Sequence, residues 1–240
     1  MLKNKFAKSV PSGTSGNVDL YNVLSPISPR SIAEAYRKLY ANITYLPIED
    51  KCRKLAVTSA NKGEGKTTVA VNLAVTLAQN LNRSKVLLID CDLRKPGVSL
   101  MLPTDQPRTG LCEFLAGADK EPNIVASSVD GLSVLYAGGY YDNPTRLISS
   151  ERMAALIRIC EERFDYMILD TTAMDASAEA MLLKKYVNGY LLVAKARNSD
   201  VASLSSAIES LHTLNATVFG VVLTGEEVKA KRKRKLFCRK

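Results

Sequence analysis

The segment Ser59-Ala60-Asn61-Lys62-Gly63-Glu64-Gly65-Lys66-Thr67-Thr68 constrains this chain more than any other. It follows an apolar run, Leu55 to Thr58, and opens a helical stretch, Thr68 to Leu81. Strand, glycine turn and helix make the setting in which the pattern G-x-x-x-x-G-K-[ST] cradles phosphate. Glycines let the backbone turn tightly and aim several N–H groups at one anion, while the helix start adds partial positive charge. Lys66 supplies a cation for the outer phosphates and Thr67 a hydroxyl for Mg²⁺. Ala60 stands where the first glycine of the pattern belongs. Asn61, Lys62, Gly63, Glu64, Gly65, Lys66, Thr67 and Thr68 are therefore the residues expected around a nucleoside triphosphate and its Mg²⁺.

Five more apolar runs read as buried strands: Val86 to Ile89, Leu132 to Tyr136, Tyr166 to Leu169, Tyr190 to Ala194 and Val218 to Leu223. Further helical stretches run from Ser150 to Arg163, Ala176 to Tyr186 and Val201 to Leu214. Continuous apolar strands separated by helices predict an α/β fold of P-loop NTPase type, with a mostly parallel sheet covered by helices on both faces. With 240 residues and 46% apolar content, one such domain is expected. An earlier helix is predicted from Ser31 to Tyr45, with Ser31 and Glu34 at capping-box spacing and Pro47 as its stop. Residues 1–29, rich in Ser, Pro, Gly and Asn, read as a mobile arm, 30–228 as the domain and 229–240 as a basic tail.

In an open parallel sheet, ligands sit beyond the carboxyl ends of the strands. Asp90 ends one apolar run, with Asp92 and Arg94 just beyond it, and Asp170 ends another. Carboxylates there can hold Mg²⁺ or take a proton from an attacking hydroxyl. His212, the only histidine, falls inside a helical stretch and reads as structural or exposed. Gly138-Gly139-Tyr140-Tyr141-Asp142-Asn143-Pro144 follows a strand and should form a loop at the same edge.

Charge and cysteines narrow the class. The net charge of +9 resides almost wholly in residues 229–240, which hold eight Lys and Arg and no acid, leaving 25 basic against 24 acidic residues elsewhere. Such a tail suits an anionic membrane surface or an acidic partner; no interleaved aromatic pattern suggests a specific nucleic acid. The five cysteines are scattered and lack C-x-x-C spacing, so they read as reduced thiols without zinc. No apolar run approaches the ~20 residues of a membrane span, and Met1 to Lys8 lacks the apolar stretch of a secretory leader. A cytoplasmic chain is expected.

Together these residues resemble the bacterial tyrosine kinases of capsule and exopolysaccharide synthesis, the separate cytoplasmic type of Gram-positive bacteria, which are related to the ParA and MinD ATPases. The most specific part is Leu88-Ile89-Asp90-Cys91-Asp92-Leu93-Arg94-Lys95-Pro96, which looks like that family's second Walker motif. Gly138-Gly139 followed by Asn143-Pro144 also matches its pattern, and Glu34, Arg37 and Tyr40 match its E-x-x-R-x-x-R helix, with Tyr40 in place of the second arginine.

The resemblance implies an ATP-dependent protein-tyrosine kinase peripheral to the inner face of the membrane. It implies catalytic roles for Lys66, Asp90, Asp92 and Arg94, with Asp92 as proton acceptor, Arg94 orienting the carboxylate cluster, and Mg²⁺ held by Thr67, Asp90 and Asp170. Implied partners are a membrane-embedded activator or chain-length regulator and, through Glu34 and Arg37, further copies of the chain. A MinD-type regulatory ATPase and a nucleotide-binding adaptor of an export complex are the alternative readings. The chain departs from the family's pattern at several places. Thr171-Thr172-Ala173 replaces Thr-Pro-Pro, which predicts a looser turn; Glu179 replaces an aspartate and Thr224 an asparagine; Asn61 lies where ParA and MinD carry a further lysine. None of the ten tyrosines lies beyond Tyr190, where that family carries a tyrosine cluster.

Overall fold

In the computed structural model, which describes residues 23–25, 28–80, 84–105 and 109–225, the predicted apolar runs are strands of one sheet. The strands are β1 (Arg53–Ser59), β2 (Val86–Asp90), β3 (Val125–Ala126), β4 (Leu132–Leu135), β5 (Tyr166–Asp170), β6 (Gly189–Lys195) and β7 (Val218–Thr224). The helices are α1 (Arg30–Thr44), α2 (Lys66–Asn80), α3 (Val98–Met101), α4 (Leu111–Ala116), α5 (Pro144–Ile148), α6 (Glu151–Glu161), α7 (Glu179–Leu182) and α8 (Val201–Thr213). The sheet order is β3-β4-β2-β5-β1-β6-β7, and every pairing is parallel except β3 with β4. The two-residue β3 was not foreseen; its intermediate and exposed side chains give no periodic signal.

Alternation along the central strands sorts their side chains between two faces. Val86 and Leu88 of β2, with Tyr166 and Ile168 of β5, join the core beneath α2 and α1. Leu87, Ile89, Met167 and Leu169 face the opposite core, closed by α4, α5 and α6. Ala56, Tyr190 and Leu192 carry that second face to α8. Asp90 and Asp170 continue the even-numbered series, so both project to the α2 side of the sheet. Both strands are buried throughout, which is why they read as unbroken apolar runs.

Two helix readings need correction, and three short helices were not foreseen. α1 begins at Arg30 and its N-cap is Pro29, whose carbonyl accepts the N–H groups of Ile32 and Ala33. Ser31 thus lies inside the helix, no side chain caps it, and Glu34 pairs with Arg37 instead. The stretch predicted to start at Ala176 becomes helical only at Glu179 and tightens into a 3₁₀ turn over Leu183–Tyr186. The short α3, α4 and α5 are shorter than the two turns a periodic pattern needs. The stretch read from Ser150 begins with a cap that was not foreseen: the Ser150 side chain accepts from the Met153 N–H at the start of α6, a contact worth about 1 kcal/mol.

Cys52, Cys91, Cys112 and Cys160 are buried and free. Among the described residues no helix is long and apolar enough to cross a membrane. The arm read over residues 1–29 is not mobile throughout: Val23 and Leu24 pack against the core beneath α2, and the Leu24 N–H donates to Asn72 Oδ1 at 2.7 Å; residues 1–22 and the tail 229–240, with Cys238, lie outside the described residues.

Candidate functional site

The turn between β1 and α2 takes its shape from two glycines and one buried carboxylate. Gly63 and Gly65 have φ of 79° and 96°, in the left-handed region that side-chain-bearing residues avoid. Between them the Glu64 side chain folds back: its carboxylate accepts the Asn61 N–H at 3.0 Å and the Ser199 hydroxyl. The Thr224 hydroxyl donates to the Glu64 carbonyl at 2.7 Å. Glu64, expected among the phosphate contacts, thus spends its side chain on latching the turn to the loop after β6. Ala60 is buried beside Tyr190, Leu192 and Ala207, so its methyl packs into the core and takes no space from a phosphate. Lys62 and Gly63 are exposed at the tip; Lys66, the first residue of α2, is almost buried at 9% exposure.

Asp90 and Asp170 are direct register partners at the ends of β2 and β5, both fully buried. Asp90 accepts N–H groups from Asp92 at 3.2 Å, Gly97 at 3.2 Å and Val98 at 3.1 Å. Burial raises its carboxyl pKa, the Val98 N–H opposes the rise, and the Asp92 charge adds to it. Burial also pushes Asp170 well up, helped by the Asp90 charge; the Thr67 hydroxyl and the Lys66 ammonium oppose this. Neither oxygen of Asp170 has a hydrogen-bond partner in acceptable geometry. Two adjacent buried carboxylates, one with both oxygens unpartnered, are the donor set a hard divalent cation satisfies. Thr67, Asp90 and Asp170 therefore fit Mg²⁺, whose charge would favour both ionised forms. Gly97 lets the loop after β2 approach: a Cβ there would stand 3.0 Å from Thr67 Oγ1.

Asp92 is half-buried just beyond Asp90, and its Oδ1 accepts the Lys95 N–H at 3.0 Å. Arg94 does not join the carboxylate cluster as expected. Its Nε and Nη2 donate to Glu179 Oε1 at 3.2 and 2.8 Å. The Thr145 hydroxyl donates to the same oxygen at 2.7 Å. Burial works against the Glu179 charge, but the Arg94 guanidinium and neighbouring hydroxyls outweigh it and hold the carboxyl at about 2. Glu179 thereby ties the loop after β2 to the start of α5. Ahead of α5, Glu113 accepts the Gly110 N–H at 2.7 Å and the Gly139 N–H at 2.8 Å, fixing the glycine loop after β4.

The turn after Asp170 is not loosened by its threonines. Thr171 donates to the Val57 carbonyl at 2.9 Å, Thr58 to the Thr172 carbonyl at 2.8 Å, and Ser177 to the Thr172 hydroxyl at 2.9 Å. Hydroxyl bonds to β1 do here what ring rigidity does in a proline pair. On α1, Glu34 and Arg37 form an exposed ion pair at 3.2 Å, and Tyr40 packs against the core. His212 is exposed in the last turn of α8.

Glu64–Ser199, Glu113 and Thr145 were missed in the sequence. The Ser199, Gly139 and Glu179 partners lie far off in the chain, where no short motif reaches; the Gly110–Glu113 pairing has capping-box spacing, but with a glycine where that motif carries Ser or Thr.

A P-loop nucleotide-binding domain is the class this sheet, turn and carboxylate pair define. The CobQ/CobB/MinD/ParA nucleotide binding domain matches residues 55–237. Tyrosine-protein kinase YwqD of Bacillus subtilis (strain 168) is 33% identical over 208 residues, covering 86% of this chain and 87% of the relative. Tyrosine-protein kinase CpsD of Streptococcus pneumoniae serotype 4 is 31% identical over 191 residues, covering 79% and 82%. The kinase domain of the Escherichia coli tyrosine kinase ETK superposes with a TM-score of 0.80 at 29% identity, covering 93% of this chain and 86% of that one. The chain belongs to the CobQ/CobB/MinD/ParA nucleotide-binding family, in its branch of bacterial tyrosine kinases.

Proposed function

We propose that this chain is an ATP-dependent protein-tyrosine kinase serving capsular or exopolysaccharide synthesis and export. The observation that carries the reading is the placement of Asp92: a half-exposed carboxylate beside the buried Asp90–Asp170 pair, at the strand ends that face Lys66 and Thr67. The turn residues 61–68 bind the triphosphate through backbone N–H groups, and Lys66 neutralises the outer phosphates. Thr67, Asp90 and Asp170 hold Mg²⁺, which when bound offsets charge on the transferring phosphoryl group. Asp92 accepts the proton of the incoming tyrosine hydroxyl. Arg94, held by Glu179, keeps the loop bearing Asp92 in place. Incubating the full chain with ATP–Mg²⁺ and a glutamate–tyrosine copolymer should yield phosphotyrosine; phosphate release without phosphotyrosine would favour a MinD-type regulatory ATPase.

Residues 30–228 make up the kinase unit in this reading, and the chain works at the inner face of the membrane with a membrane-embedded activator. Two features support assembly there. The Glu34–Arg37 pair is 57–61% exposed at its side chains and free to be shared with a second copy. Each of the eight basic residues in 229–240 adds roughly 1 kcal/mol of attraction to an anionic leaflet. A chain ending at residue 228 is expected to lose salt-sensitive binding to anionic vesicles, while Glu34→Arg weakens self-association in sedimentation. Unchanged vesicle binding would remove the tail from the account, and unchanged sedimentation would remove the α1 contact.

A further inference from the structure

The tyrosines are not equivalent. Tyr166, Tyr186 and Tyr190 are buried. Tyr36, Tyr40 and Tyr136 are half-buried, and Tyr136 donates its hydroxyl to the Leu102 carbonyl at 2.8 Å. Tyr45 is exposed, but it follows α1 where Arg53, the first residue of β1, binds the Ile43 and Thr44 carbonyls. It therefore sits at the amino end of the sheet, opposite the phosphate turn. Tyr140 is 85% exposed and Tyr141 37%, in the loop after β4 at the carboxyl end.

That loop is anchored on both sides and free in the middle. On one side Gly139 donates to Glu113, and Gly138, at φ 86°, lies so close that a Cβ would stand 2.0 Å from Glu113 Oε2. On the other side the Asn143 side chain caps α5, with Pro144 as its first residue, and Thr145 shares Glu179 Oε1 with Arg94. Residues 140–142 project between these anchors. One of the anchors, Glu179, is also the carboxylate that holds the loop of Asp92 and Arg94.

We propose that Tyr140 is a phosphoryl acceptor of this kinase, presented to the site by a loop that Glu113 and Glu179 pin. The inference rests on the kinase reading and names a substrate tyrosine for it. In the transfer the Tyr140 Oη attacks the γ-phosphorus of ATP and forms the new P–O bond. The bond from that phosphorus to the bridging oxygen breaks, ADP leaves with the electron pair, and the hydroxyl proton passes to the Asp92 carboxylate. The product would carry close to two negative charges on an exposed loop beside Arg94.

The test uses the full chain, affinity-purified from detergent extracts of its own cells so that native partners stay bound, in wild-type, Tyr140→Phe and Tyr141→Phe forms. Each receives ATP–Mg²⁺ with the glutamate–tyrosine copolymer, and phosphotyrosines are mapped by mass spectrometry. The expected result is phosphate on Tyr140 in the wild type, loss of most chain phosphorylation in Tyr140→Phe, and unchanged copolymer phosphorylation in that variant. Copolymer phosphorylation without phosphate on Tyr140 would overturn the assignment and leave the kinase reading standing. Absence of phosphotyrosine on both copolymer and chain would overturn both.

Discussion

Lys66→Met is expected to lower kcat/KM for ATP by about 10²–10³-fold, the scale on which one charge-stabilising group acts in a dry site. Lys66 is the first residue of α2 and only 9% exposed, so its ammonium works where water screens it little. Methionine keeps the unbranched stem and good helix propensity, so the core beneath α2 loses no packing. The shape of the turn does not depend on the ammonium either, because Gly63, Gly65 and the Glu64 carboxylate set it. The variant should therefore melt near the wild-type temperature while nucleotide turnover collapses. Calorimetry and steady-state ATP turnover on the same preparation check this. A folded variant with unchanged kcat/KM would take the phosphate cradle away from this turn.

What could be read in the sequence divides along the range of the contacts involved. Asp90 and Asp170 were legible because strand alternation is local: each follows an apolar run, and their shared side of the sheet follows from the residues two and four positions earlier. The turn was legible because its glycines, lysine and threonine are contiguous. Arg94 was placed with the nearest acids in the chain, yet its partner is Glu179, 85 positions away. Glu64 was placed around the ligand, where its backbone N–H can still serve, but its carboxylate meets Ser199, 135 positions away. Both side-chain pairings were hidden for one reason: a charged side chain next to a motif can serve the ligand or serve the scaffold that shapes the motif, and sequence spacing does not distinguish the two. The missed cap at Ser31 is local but competitive, since Pro29 starts the helix first with its fixed φ of −53°. The threonines after Asp170 mark the converse case. Losing prolines suggests looseness, but hydroxyls facing β1 restore the constraint through Val57 and Thr58.

Asp92→Asn should separate chemistry from binding. The amide is nearly isosteric, and its Oδ1 can still accept the Lys95 N–H that the carboxylate accepts at 3.0 Å, so the loop after β2 keeps its local turn. Asp90 keeps its bonds from the Asp92, Gly97 and Val98 N–H groups, because all three donors are backbone. Arg94 keeps Glu179, which the substitution does not touch. What disappears is the ability to take a proton from the tyrosine hydroxyl, a contribution of about 10²–10⁴-fold where a side chain acts as general base. The substitution also removes one negative charge near Asp90, which eases the repulsion that helps raise the Asp90 pKa. Nucleotide–Mg²⁺ affinity is therefore expected to hold or change slightly while kcat for phosphotransfer falls by two orders of magnitude or more. The two quantities are read by fluorescent-nucleotide titration and by single-turnover transfer to the copolymer. Parallel losses in both would make Asp92 part of the nucleotide site, and phosphotransfer at the wild-type rate would move the proton acceptor to another group.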